Sequence, residues 1–319
     1  MHLINLSAGT TIAFLASISQ VSAHLRFYSA KGDANEPGTI GGALGHLYQI
    51  PVVNHGDHQH PGQWDTSVFS DPIVPACCSS PYKGKTRNYM EQGCGATLDT
   101  VFNHFAKLVP SSLTPPNYKG KTKLMWNHRN YHFFMRPPMP AGAYLQIKQE
   151  VEKEITNKRM AKATKGGWIE IGVWQVNSDG AGPYKCKLDT TGTGTGFPTN
   201  ETLEVVTQPL GAPNSINHRG SSKHHLLKVN LPTEFDCAAK YNTTENICIL
   251  RCENFARNGP FGGCVPFQLI YPKTETKPDP DTIVVNEPQP VPEQGDAGYD
   301  VGSDTYKEGS YGSESEDVI

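Results

Sequence analysis

Eight cysteines behind an apolar leader constrain this chain more than any other feature. They are Cys77, Cys78, Cys94, Cys186, Cys237, Cys248, Cys252 and Cys264. Their chemistry depends on compartment, and residues 1–23 read as a secretory signal. Ala8 to Ile18 is apolar but too short to span a bilayer as a mature helix. Val21-Ser22-Ala23 then supplies the small residues a signal peptidase reads. An even number of cysteines in an exported chain predicts disulfides rather than free thiols or zinc ligands. No pair has CxxC spacing, which argues against a zinc ribbon. The pairing stays open, although Cys248, Cys252 and Cys264 fall close enough together to suggest a stapled corner. Asn200-Glu201-Thr202 and Asn242-Thr243-Thr244 are sequons, so Asn200 and Asn242 are candidate glycan acceptors in the secretory route. No later stretch is long and apolar enough to span a membrane, and the C-terminus has no hydrophobic tail for a lipid-anchor signal. A membrane anchor is not expected.

Composition divides the rest into a core, 24–272, and a tail, 273–319. The tail carries twelve acidic and three basic residues, net −9, against −3 for the whole chain, which leaves +6 on residues 1–272. Rich in Pro, Gly and Ser and poor in apolar residues, it cannot bury enough surface to offset its ordering entropy, and it reads as disordered. The core is long for one domain but within range for an elaborated β-sandwich.

Strand signals dominate the second half of the core. Residues 168–176 (WIEIGVWQV) place Ile169, Ile171 and Val173 on one face at the strand period. Residues 202–207, 225–231, 247–251 and 265–271 are further β-rich runs between Gly, Pro and Asn signals. A helix is expected near 96–109, where Leu98, Val101, Phe102, Phe105 and Leu108 form an apolar stripe for core packing. The charged stretch 148–165 fits a helix, a hairpin arm or a solvated loop, and reads best as an exposed arm. The expected fold is mainly β: a disulfide-stapled β-sandwich core with one or two short helices and a disordered acidic tail.

Four segments carry a resemblance. The first is His24-Leu25-Arg26-Phe27 with Gly41-Gly42-Ala43-Leu44-Gly45, and the second is residues 91–98 (EQGCGATL). The third is 174–186 (WQVNSDGAGPYKC), and the last joins Cys248 to Cys252 with 258–266 (NGPFGGCVP). Across most of 24–270 the chain resembles the Egh/Gas/Mas family of secreted fungal proteins associated with appressoria and early host penetration. The resemblance implies a role in infection or morphogenesis but no defined reaction. In 180–183 and 259–263 the glycines fit turns at which glycine supplies φ > 0, and Asn177 and Asp179 fit turn hydrogen bonding; a ligand-facing loop is the alternative.

Metal chemistry turns on His24. Cleavage after Ala23 would free its α-amino group, and amine plus imidazole can chelate one copper ion, as in the brace of lytic polysaccharide monooxygenases. The plain alternative is that some residue must follow every cleavage site. A second brace ligand is missing where the comparison expects it. Relatives often read HQVN where this chain has Trp174-Gln175-Val176-Asn177, and an indole nitrogen only donates. His55, His58 and His60 crowd one stretch with Asp57 and could take a divalent ion, as could His128 and His132, but a solvated loop is the simpler reading. His224 and His225 are neighbours on a strand-like run and face opposite ways. No GxSxG, HExxH or P-loop pattern occurs, and 191–196 (TGTGTG) lacks the following helix of a phosphate loop. Catalytic residues are unknown. Scattered basic residues on a core of +6 argue against nucleic acid. The expectation is therefore non-catalytic interaction with cell-wall polysaccharide or a host surface, with Trp64, Trp126, Trp168 and Trp174 as candidate sugar-stacking rings. The alternative is a copper-dependent polysaccharide oxidase built on His24.

Overall fold

A computed structural model describes residues 25–49, 65–71, 88–106, 139–257 and 259–271. Twelve strands are seen among them: β1 (Leu25–Gly32), β2 (Ser67–Val68), β3 (Ser70–Asp71), β4 (Asn88–Tyr89), β5 (Ala161–Ala163), β6 (Trp168–Gln175), β7 (Tyr184–Asp189), β8 (Val205–Thr207), β9 (Lys223–Asn230), β10 (Ala239–Tyr241), β11 (Thr244–Asn254) and β12 (Phe261–Leu269). The helices among the described residues are α1 (Leu98–Ala106) and α2 (Ile147–Thr156), with short 3-10 turns besides. The mainly β expectation holds.

The strands form two principal sheets. The front sheet runs β1-β6-β9-β8, antiparallel throughout. The back sheet centres on β11 and β12. β7 and β10 share the free edge of β11, while β2 and β5 share that of β12, with β5 parallel to it. One apolar core lies between the sheets. Phe27, Ile169, Ile171, Val173, Leu227 and Val229 from the front meet Leu188, Leu250, Val265 and Phe267 from the back, all buried. The period-2 pattern of β6 reports this directly, because Ile169, Ile171 and Val173 alternate with Trp168, Glu170 and Gly172 on the other face.

The back sheet is covered on its outer face as well. Ile247, Ile249 and Cys264 pack there against Leu44, Leu145, Val151 and Phe197. Covering both faces removes the alternation, which is why β11 and β12 read as nearly continuous buried runs. Part of that cover is α2. The stretch 148–165 is therefore not an exposed arm: it is a helix, with Val151 and Glu154 buried, followed by β5. The sequence conceals this because its buried stripe is short and one of its members is a glutamate. α1 lies within the expected helix. Thr97 caps it, accepting from the Thr100 amide at 3.1 Å while Thr100 Oγ1 accepts from the Thr97 amide at 3.0 Å.

Among the described residues, three disulfides fasten the frame. Cys186–Cys252 joins β7 to β11, Cys237–Cys248 ties the segment before β10 to β11, and Cys94–Cys264 ties 91–96 to β12 across a separation of 170 residues. Cys248, Cys252 and Cys264 thus each take a different partner. Cys77, Cys78 and the acidic stretch 273–319 lie outside the described residues. No described helix is long and apolar enough to cross a membrane.

Candidate interaction surface

The front sheet turns its second face outward. Alternation along β6 puts Trp168, Glu170, Gly172 and Trp174 on that face, opposite Asn230, Lys228, Leu226 and His224 of β9. Lys228 lies 4.0 Å over the Trp168 ring and 3.2 Å from Glu170. The Tyr28 ring crosses Gly172 so closely that a Cβ there would fall 2.6 Å from Tyr28 Cζ. Tyr28 Oη is 3.2 Å from His224 Nδ1, and His224 in turn stands edge-on to Trp174 at 4.6 Å between centroids. Burial pushes the Tyr28 hydroxyl up, against a smaller lowering by Ser29. Leu226 and Val206 extend the face as apolar side chains, each 45% exposed. The result is an array of ring, methyl and cation at the surface.

One corner of this face is closed. Arg26, opposite Trp174 on β1, is fully buried. Its guanidinium meets Asp65 at 2.7 and 2.8 Å, and His46 Nδ1 and the Leu47 amide reach the same carboxylate at 2.7 and 3.0 Å. Burial alone would raise the Asp65 carboxyl; the His46 hydrogen bond and the Arg26 charge outweigh it and hold the group below the ordinary carboxylate range. Beyond His46, Tyr48 donates to Glu154 Oε2 at 2.5 Å beneath the Arg159 guanidinium, 3.8 Å from the Tyr48 ring. Here burial wins, and the Glu154 carboxyl is raised. Gly42 is required at this point because a Cβ would come 1.9 Å from Tyr48 Oη.

The two longest sequence motifs meet at one end of the sandwich. Asn254, fully buried at the end of β11, donates to the carbonyls of Asp179 and Ala181 at 2.8 and 3.2 Å. Its own carbonyl accepts from Ala256 and Phe261 at 3.2 and 3.0 Å. Tyr184 donates to Gly180 O at 2.8 Å and is a core residue, its hydroxyl raised well above the usual range by burial. The motif glycines Gly182, Gly259, Gly262 and Gly263 serve contact rather than turn conformation, since none has positive φ and a Cβ on each would clash. A Cβ on Gly182 would lie 2.0 Å from Pro209 O, and one on Gly262 1.9 Å from Cys252 O. These loops form a structural joint.

A model of the family described as Egh16-like virulence factor matches residues 22–262. The chain belongs to the Egh16-like family. Among similar proteins, "Appressoria-specific virulence factor GAS1" of Pyricularia oryzae is 35% identical over 119 residues, 37% of this chain and 46% of the relative. "Appressoria-specific virulence factor GAS2" of the same species is 32% identical over 112 residues, 33% of this chain and 39% of the relative. The chain thus spans less than half the length of these curated relatives.

Within this Egh16-like frame, the sequence-derived candidates scatter. His24, His55, His58, His60, His128 and His132 lie outside the described residues, as do Trp64 and Trp126. Among the described residues, no group of three His, Cys, Asp or Glu side chains is placed to hold a metal ion. Trp174 is 3% exposed and cannot stack on a ligand, whereas Trp168 is only partly covered. His225 departs from its neighbour as expected, with Nε2 3.0 Å from Gly220 O. The TGTGTG segment wraps Asp189, whose carboxylate accepts from Thr191 and Gly194 amides at 2.8 and 2.5 Å, and it holds no phosphate-loop geometry. Asn200 and Asn242 are exposed. Sequence reasoning missed Arg26, Asp65, His46, Glu154 and Asn254. Only Arg26 lay inside a quoted motif, and nothing in the chain announces that Asp65 returns to it.

Proposed function

We propose that this protein is exported after removal of residues 1–23, begins at His24, and acts without catalysis at a cell wall or host surface during early infection. The names of its relatives and the apolar leader in its sequence support that setting. The observation that carries the reading is the open front face: a sheet surface bearing Tyr28, Trp168, Leu226 and Lys228, opposite a back sheet that is packed on both of its faces. Amphipathic rings of this kind offer an apolar body with a polar edge, which suits the alternating CH and hydroxyl faces of a polysaccharide. No observation among the described residues favours the copper-oxidase alternative. Glycans on Asn200 and Asn242 belong to the same proposal, since both sequons sit at the surface.

Co-sedimentation with insoluble chitin, β-glucan and pectin tests it. Retention on at least one polymer, lost in a Trp168→Ala, Leu226→Ser double variant of unchanged melting temperature, is expected. Equal retention of the variant, or none for the parent on any polymer, would overturn the assignment of this face.

A further inference from the structure

A shallow groove of about 580 Å³ lies across the molecule from the front face, bounded by the β10–β11 hairpin, the TGTGTG segment and α2. Its volume falls within the usual span of small-molecule sites. Lys148 and Glu152 come from α2, Thr191 and Thr193 from the glycine-rich segment, and Ala239 and Asn242 from the hairpin. The lining carries hydroxyls from Thr191 and Thr193 and opposite charges from Lys148 and Glu152, beside the small Ala238 and Ala239. Both walls are fixed. Tyr241 donates to Gly192 O at 2.7 Å, which fastens the hairpin to the segment. Thr191 Oγ1 gives its proton to Asp189 Oδ1 at 2.6 Å and sits 2.7 Å from Thr193 Oγ1, itself 2.8 Å from Thr195 Oγ1. Asp189 only accepts, so the row is ordered: Thr195 donates to Thr193, and Thr193 donates to Thr191. Preorganised hydroxyls of this kind leave lone pairs for sugar hydroxyls without a further ordering cost.

Asn242 decides what the groove holds. It occupies the two-residue connection between β10 and β11 with φ +53°, a left-handed conformation that Asn tolerates better than most residues. It is exposed, it heads a sequon, and it is itself part of the groove wall. A sugar attached to its side-chain amide therefore starts at the groove's rim. Asn200, the other exposed sequon residue, is not part of this wall.

We propose that the N-linked glycan of Asn242 folds back into this groove and bridges the hairpin to α2, as a built-in structural element. The proposal rests on the export reading. The experiment is native endoglycosidase digestion of full-length protein secreted from a eukaryotic host, followed site by site by mass spectrometry. The Asn242 glycan should be trimmed at least about tenfold more slowly than that of Asn200, a factor within reach of one or two net hydrogen bonds. Thr191→Val with Thr193→Val should remove the difference. Equal trimming at both sites, or protection that survives the double variant, overturns the groove as the glycan's resting place. An unoccupied Asn242 beside an occupied Asn200 overturns the proposal but leaves export standing. Failure of the protein to reach the medium, with neither site occupied, would instead sink the export reading. If Asn242→Gln gains affinity for soluble chito-oligosaccharide, the groove takes a free glycan, and the built-in role is wrong.

Discussion

The outer faces of the two sheets differ in everything except their backbone. The back face is roofed by α2, by Leu44 and Phe197 and by the segment that Cys94 ties to Cys264, and its strands are buried on both sides. The front face keeps an open, partly aromatic surface, and its strands alternate. Burial on both sides is confined to the roofed sheet, whereas the open face leaves Leu226 and Val206 in contact with solvent. An exception is the corner where Asp65 and His46 close over Arg26.

That corner offers the sharpest way to break the comparison. Asp65→Asn leaves a buried guanidinium without its counter-charge, and removal of one partner of a buried pair typically costs about 3–5 kcal/mol. Denaturant unfolding should show this loss although the site belongs to the front sheet; a change near zero would mean that water reaches Arg26. The roof is tested next. Cys94→Ser with Cys264→Ser frees the longest loop closed by a described disulfide, and loss of a native disulfide costs about 2–5 kcal/mol. Secreted yield and urea midpoint should both fall, and an unchanged midpoint would show that packing alone holds the roof.

The two regions also answer pH with opposite sign. Asp65 has a lowered carboxyl, so the stability it supplies is present above its unfolded value of 3.8 and is lost as pH falls through the lower folded value. Glu154, in the roof, has a raised carboxyl. Its contribution is fully present below its unfolded value of 4.5 and is lost as pH rises through the folded value. Glu154→Gln keeps an acceptor for Tyr48 and removes the buried charge. It should therefore flatten the fall of melting temperature above about pH 4.5, the ordinary value for that group. A variant curve parallel to the parent's would show that Glu154 titrates normally. The smallest effect belongs to the open face: Trp168→Ala should shift stability by about 1 kcal/mol or less, as substitutions away from the core do. A larger loss on calorimetry would mean that this ring is part of the roofing rather than a surface.

How far the sequence disclosed these regions follows from the same contrast. Ile169, Ile171 and Val173 were legible because Trp168 and Glu170 opposite them reach solvent, so the strand period survives over that stretch. α2 was not, because in 148–165 the buried positions are Val151 and a glutamate, and charge hides the stripe. The cysteine count and oxidised state were readable among the six described. Their pairing was not, because Cys186 faces Cys252 only through strand register. The motif glycines looked like turn residues, since a glycine needed for close approach and one needed for positive φ are the same letter. Asp65 gave no signal at all: its partner lies on β1, and only tertiary closure brings the two together.

The register of β1 also sets an order of events for a chain that emerges N-terminus first. Leu25 pairs with Gln175, so β1, the first of the described strands, waits until roughly 150 further residues have followed before its neighbour in the sheet exists. Until then its apolar side, Leu25, Phe27 and Ala30, has no sheet to join. Such long-range pairing makes closure of the front sheet a late and comparatively slow step. During that interval the nascent chain presents a bare, unpaired edge, the period in which a chaperone would find most to hold.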